Sequence, residues 1–221
     1  RNSSGIEDVN FLAIRYNTDG GLDETFGDNG IASFNIQGSS ELVESGVIGK
    51  NGNIYIAGQA NNTENNYDVA ILSINSEGTL LTDFGQEGVA IADIDGNRDA
   101  VYDVITQTDG KIIAVGSTQL GNASGFNALA IFRFNQNGTL DNQFANGGSL
   151  VIDMVGSSGD VGRAVKVQRD GKILVTGGSN GRIIFVIRLN PFLGWLRPTV
   201  NIILSFTLIP KSDFLVFGDC K

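Results

Sequence analysis

A nine-residue block returns three times along this chain. Thr108 to Gly116 reads Thr-Asp-Gly-Lys-Ile-Ile-Ala-Val-Gly, Arg169 to Gly177 reads Arg-Asp-Gly-Lys-Ile-Leu-Val-Thr-Gly, and Lys50 to Gly58 is a looser copy. The turn glycines Gly52, Gly110 and Gly171 stand 58 and 61 residues apart. A second motif keeps the same step: Gly20 to Gly27 reads Gly-Gly-Leu-Asp-Glu-Thr-Phe-Gly, echoed by Gly78 to Gly85 and by Gly138 to Ala145. Two motifs on one period describe a tandem repeat, in which each unit buries its apolar face against its neighbours.

Composition narrows the chemistry. The chain has 221 residues with 30 Gly and only 3 Pro, a turn-rich folded profile. Its net charge is −9, and no cluster of Lys and Arg is present to neutralise phosphates, which argues against a nucleic-acid partner. With no histidine and one cysteine, Cys220, there is no His-based triad, no His-ligated metal and no internal disulfide. The longest uncharged apolar run near the end, 198–210, falls short of the roughly 20 residues a membrane helix needs.

Each unit reads as four strands. In the middle unit these are Val89 to Ile94, Ala100 to Gln107, Lys111 to Val115 and Ala128 to Phe134, all rich in β-branched or aromatic residues. Asp109-Gly110, Asp170-Gly171 and Asn51-Gly52 each predict a hairpin closed by a type I′ turn. Strands one and three are apolar on both faces, as in Ile112-Ile113-Ala114-Val115, so each sheet is expected to lie between two others. The fourth strand carries Arg15, Ser73, Arg133 or Arg188 two residues before an Asn and is expected at the solvent edge. Phe26, Phe84 and Phe144 are expected to plug the seams between sheets.

The fold class this implies is all-β: tandem four-stranded antiparallel blades forming a partial β-propeller, with a β-solenoid as the competing architecture. Residues 1–190 form the repeat region, with a leading strand at 9–17 and blades at about 30–77, 88–137 and 148–190. Residues 191–221 break the pattern, holding all three prolines, Trp195 and Cys220. That tail reads either as a frame-shifted stretch or as an incomplete further blade built from Val200 to Leu208 and Phe214 to Phe217. The chain starts at Arg1 without a charged-then-apolar leader, as expected of an excerpt or a processed product. Three units cannot close a ring, so association through open terminal blades is expected.

The order Asp-Gly-Lys-Ile, then Arg-hydrophobic-Asn, then Gly-x-Leu-Asp-x-x-Phe-Gly resembles the delta-60 repeat family over about Val9 to Asn190. Departures are Asn53 for Lys, Ser73 for Arg, Leu81 for Asp and Ala145 for Gly. The resemblance implies large bacterial proteins, secreted or at the cell surface, with propeller-like arrays and no established catalytic residues.

Candidate sites are sparse. The loops that vary between units, 59–66 and 117–127, share one rim and are the expected contact for a protein or glycan partner. On that rim Asp93, Asp95, Asn97 and Asp99 place oxygens at every second position, a calcium candidate, although no glutamate closes the loop and Arg98 adds opposing charge. Gly177 to Gly181 is glycine-rich but lies in a hairpin rather than opening a helix. The expected role is a non-catalytic extracellular structural or interaction module, with no enzyme activity and no cofactor unless calcium. The alternatives are a carbohydrate- or calcium-dependent adhesive module and a glycoside hydrolase or lyase on a propeller scaffold.

Overall fold

The computed structural model describes residues 10–36, 41–61, 66–121, 126–154, 159–180, 183–190 and 201–203. In chain order their strands are β1 (Phe11–Ile14), β2 (Ile31–Phe34), β3 (Glu41–Ile48), β4 (Ile54–Asn61), β5 (Tyr67–Ile74), β6 (Val89–Ala92) and β7 (Asp99–Thr106). They continue as β8 (Ile112–Leu120), β9 (Phe126–Phe134), β10 (Ser149–Ile152), β11 (Asp160–Val167), β12 (Ile173–Ser179), β13 (Ile183–Leu189) and β14 (Asn201–Ile203). Among the described residues there is no helix. The strands pair as β1-β2, β3-β4-β5-β6, β7-β8-β9-β10 and β11-β12-β13-β14, all antiparallel within each sheet. These are propeller blades; the coils of a parallel β-solenoid would pair differently. The first strands β3, β7 and β11 lie side by side at the inner edge of the stack.

The sheets are offset by one strand from the units read in the sequence. Periodicity places blades at 30–77, 88–137 and 148–190, whereas the sheets run 41–92, 99–152 and 160–203. The cause is the Leu-x-x-x-Phe-Gly segment, which doubles the chain back within a sheet instead of carrying it to the next. In the first complete sheet the Leu81 N–H donates to the Ser73 carbonyl, Phe84 N–H to Leu81 and Gly88 N–H to Phe84, and the chain returns with Val89 opposite Leu72. The crossing between sheets is made by the short segment 93–98. The leading strand becomes the third strand of an incomplete sheet, with β2 as its fourth. Within the tail, Asn201–Ile203 completes the third sheet against β13 rather than starting a new blade, and 191–200 and 204–221 lie outside the described residues.

The hairpins form where Asp-Gly predicts them, by a different turn. Gly110 N–H donates to the Gln107 carbonyl at 3.1 Å and Gln107 N–H to the Lys111 carbonyl at 2.7 Å, so three residues rather than two make the loop. Only Gly110 takes positive φ (83°); Asp109 stays right-handed, which excludes type I′. The turn is type I followed by a left-handed glycine. Asp109 earns its place through its side chain, whose Oδ1 accepts from Lys111 N–H, as Asp170 does for Lys172 and Asn51 for Asn53.

The last glycine of the block answers to a bulge. In all three complete sheets the first strand shifts register at one place, past Val43, Val101 and Gly162. The residues facing those points are Gly58, Gly116 and Gly177, and an added Cβ would sit 1.9–2.0 Å from the carbonyl oxygen of Leu42, Ala100 or Val161. No side chain fits there.

Three apolar clusters fill the three seams. Phe26 joins Phe11, Ile56, Leu72 and Ile74; Phe84 joins Tyr55, Ile71, Ile112 and Phe132; Phe144 joins Leu129, Ile131, Val175 and Ile187. Each phenylalanine is buried between adjacent sheets, where the sequence places it. The Arg column is not at a solvent edge: β1, β5, β9 and β13 are third strands, and Arg133 is buried. Its charge is satisfied internally.

Candidate functional site

The loop 93–98 is a tight turn. Asn97 N–H donates to the Ile94 carbonyl at 3.0 Å, Gly96 N–H to Asp93 Oδ1 at 3.0 Å, and Asp95 and Gly96 both take positive φ (56° and 68°). This geometry divides the four candidate ligands. Asp93 and Asp99 come together, with one carboxylate oxygen each inside a 4.8 Å group. Asp95 stands exposed at the turn and is not among the grouped carboxylates, and the Asn97 amide nitrogen donates to the Ile94 carbonyl. Every-second-position spacing fails as a ligand pattern because the turn reverses the chain. Arg98 is spent elsewhere, its guanidinium 4.7 Å above the Tyr67 ring.

The third member of the group is Asp68, which sequence reasoning missed. It lies 25 residues upstream, beside Val69, and the pairing of Val69 with Ala92 sets it across from Asp93. The signal was the β5–β6 pairing, hidden as long as those strands were assigned to different units.

Asp99 is fully buried at the start of β7, and its Oδ2 accepts from Ile94 N–H at 2.7 Å. Burial pushes its carboxyl up to about 7; Thr118 and the Ile94 N–H oppose this, while the charges of Asp93 and Asp68 add to it. The next sheet repeats the cap: Asp160, also fully buried, accepts from Met154 N–H at 2.6 Å and faces Ser179 as Asp99 faces Thr118. Closing the crossing loop is therefore one task of this aspartate. Asp153 stands in the second cap where Asp93 stands in the first, so it is Asp68, with Ala128 at the matching position, that distinguishes the first cap; three carboxylates so close offer hard oxygen ligands of the kind calcium takes.

A second set of charged residues ties the second complete sheet together. Arg133 Nε donates to Asp141 Oδ2 at 2.7 Å, Lys111 Nζ lies 3.1 Å from the same oxygen, and the guanidinium sits 4.6 Å from the Phe144 ring centre. Burial works to raise the Asp141 carboxyl, but Gln143 N–H, Lys111 and Arg133 hold it below its ordinary value. The leading sheet repeats the pair as Arg15 and Asp23, 2.8 Å apart, with Arg15 over Phe26 at 4.8 Å. Asp103 links the sheets at the inner edge: its Oδ1 accepts from Ser45 Oγ at 2.9 Å and its Oδ2 from Val165 N–H at 2.8 Å.

Of the variable rim, the tips 62–65, 122–125 and 181–182 lie outside the described residues. Gly177 to Ser179 belong to β12, so that glycine-rich run is sheet rather than a phosphate loop. On the opposite rim a groove of about 280 Å³ runs between the first two hairpin turns, lined by Asn51, Tyr55, Thr106, Asp109 and Gln136. Among the described residues no helix is long and apolar enough to cross a membrane.

Residues 107–144 match the family model of a domain of unknown function (DUF5122) beta-propeller. That stretch holds one Asp-Gly-Lys-Ile block, the Arg133 strand and the Leu140 to Phe144 return. A comparison with curated proteins finds no match. Among solved structures, the chain is similar to an exo-beta-1,3-galactanase from Clostridium thermocellum, at 12% identity and a TM-score of 0.42. The match covers 82% of this chain and spans 38% of the galactanase, and no property of that enzyme is carried over. The match over 107–144 agrees with the β-propeller fold, and its description names no function.

Proposed function

We propose that this chain is a non-catalytic structural or protein-interaction module of delta-60 type, working outside the cell as part of a larger propeller array. One observation carries the reading: the polar side chains that recur from sheet to sheet are engaged in holding sheets. Arg133 and Lys111 share Asp141, and Asp99 and Asp160 close the crossings; Asp103, which does not recur, ties three sheets. Among the described residues these recurring groups serve the contacts that hold the frame, while the rim loops vary in sequence from unit to unit. The extracellular setting rests on the family resemblance.

The test is turnover. Purified chain incubated with a panel of polysaccharides should release no reducing ends. Release abolished by a single carboxylate substitution would overturn the reading in favour of a hydrolase.

A calcium-dependent adhesive module is the second reading, favoured by the grouping of Asp68 and Asp93 with buried Asp99. Titration calorimetry with calcium decides it: heat and a raised melting temperature, both lost in Asp99→Asn, would support it. Silence in wild type ends it.

A further inference from the structure

The two ends of the stack expose opposite halves of one interface. Counting back from the Arg column, positions three and one before and one after it face the preceding sheet. They are Ala70, Leu72 and Ile74 in the first complete sheet and Ala130, Phe132 and Phe134 in the second, all fully buried. In the leading sheet the same positions are Leu12, Ile14 and Tyr16, exposed at 49%, 44% and 61%. Positions four and two before the column face the following sheet: Val69 and Ile71, then Leu129 and Ile131, again fully buried. In the third sheet they are Ile184 and Val186, exposed at 64% and 37%.

Every internal seam joins the forward face of one sheet to the backward face of the next. Leu129 and Ile131 meet Phe185, Ile187 and Leu189 in this way, and Val69 and Ile71 meet Ala130 and Phe132. Among the described residues, then, the backward face of the leading sheet and the forward face of the third sheet have no partner sheet. Both keep the register and apolar character of seams the molecule already builds.

We propose that the forward face of the third sheet, centred on Ile184 and Val186, receives the leading sheet of a second copy through its Leu12, Ile14 and Tyr16, continuing the stack head to tail. This rests on the scaffold reading and names its partner as a sheet of the same repeat. A polar contact accompanies the apolar one. Arg15 reaches across its seam to donate to the Ser76 carbonyl of the next sheet, and Arg188, in the same column, is placed to donate to the Thr18 carbonyl of the incoming copy. Because the two faces differ, the contact is heterologous and propagates or closes into a ring rather than stopping at a symmetric dimer.

Sedimentation equilibrium of wild type, Ile14→Asp and Ile184→Asp, over about 1 to 100 µM where small interfaces associate, tests this. Both substitutions sit at exposed positions, and unchanged melting by circular dichroism confirms that they fold. Wild type should grow in mass with concentration and each variant should remain a monomer alone. Mixed, the two variants should form a one-to-one dimer, since each supplies the face the other lacks. Wild type monomeric throughout, a variant that self-associates like wild type, or a mixture that stays monomeric would overturn the proposal. None of these outcomes touches the non-catalytic reading, which falls only to turnover.

Discussion

Arg133 and Asp141 form an ion pair 2.7 Å long that is almost sealed from solvent. The first complete sheet has neither: Ser73 stands in the Arg column and Leu81 in the Asp column, and Asn53 replaces Lys111 as well. Read along the sequence these are three scattered departures. In the fold they are one charge network replaced as a unit, which electrostatics requires, because one buried partner left behind is an uncompensated charge.

Removing a single partner should therefore cost more than removing the pair. Asp141→Leu is expected to destabilise by about 3–5 kcal/mol, and adding Arg133→Ser should recover most of that loss, since the double variant differs from the combination the first sheet tolerates only in keeping the part-exposed Lys111 where that sheet has Asn53. Urea unfolding of the single and double variants measures the difference. Additive losses would mean that the pair is not coupled.

Phe84 lies in the seam between the first two complete sheets, 5.6 Å from the Tyr55 ring centre and 3% exposed. Phe84→Ala should cost about 3–5 kcal/mol through lost burial and the cavity left behind. An unchanged urea midpoint would remove phenylalanine from the seam.

Ala145 stands where Gly27 and Gly85 stand in the other sheets and is forced to φ 45°, beside 56° and 58° for the glycines. An L-residue in that region costs roughly 1–2 kcal/mol, so Ala145→Gly should stabilise by about 0.5–1 kcal/mol after glycine's added unfolded-state entropy. Gly116→Ala should do the reverse, because its Cβ would lie 1.9 Å from the Ala100 carbonyl oxygen. Thermal melts of both variants should move in opposite directions.

Asp99 makes stability depend on pH in an unusual sense. Its carboxyl is raised to about 7 in the folded chain from 3.8, so between those values the folded state holds a proton that the unfolded state releases. Stability should rise as pH falls from about 7 towards 4 and be lost again as pH climbs through 7. No histidine titrates in this window, and Asp23, Asp141 and Asp170, all lowered, weaken the fold only at more acid pH. Wild type should melt higher at pH 5 than at pH 8, and Asp99→Asn should flatten that difference. Parallel shifts in both proteins would assign the effect to other groups.

Much of this fold is legible in the sequence, and the errors share one origin. A period reveals what repeats but carries no phase, so nothing in the spacing of Gly110 and Gly171 says whether Val89 opens a sheet or closes one. Backbone hydrogen bonds from Leu81 and Phe84 decide it, and they were invisible behind a segment that looks like a linker. The same blind spot put Arg133 at an edge and hid Asp68 from Asp93. Turn chemistry was half readable: Asp-Gly announces a hairpin, but Thr108 joins the loop because a right-handed Asp109 leaves only one left-handed residue. Gly58, Gly116 and Gly177 were recognisable as constant, and only the bulge opposite them explains why.

The first two complete sheets each span the return through Phe84 or Phe144. Backbone nuclear Overhauser contacts in isotopically labelled protein test this most directly. Cross-strand contacts should join Ala70 with Ile91 and Ala130 with Val151, with none along a ladder between β6 and β7. A ladder between β6 and β7, with β5 and β6 unpaired, would contradict it.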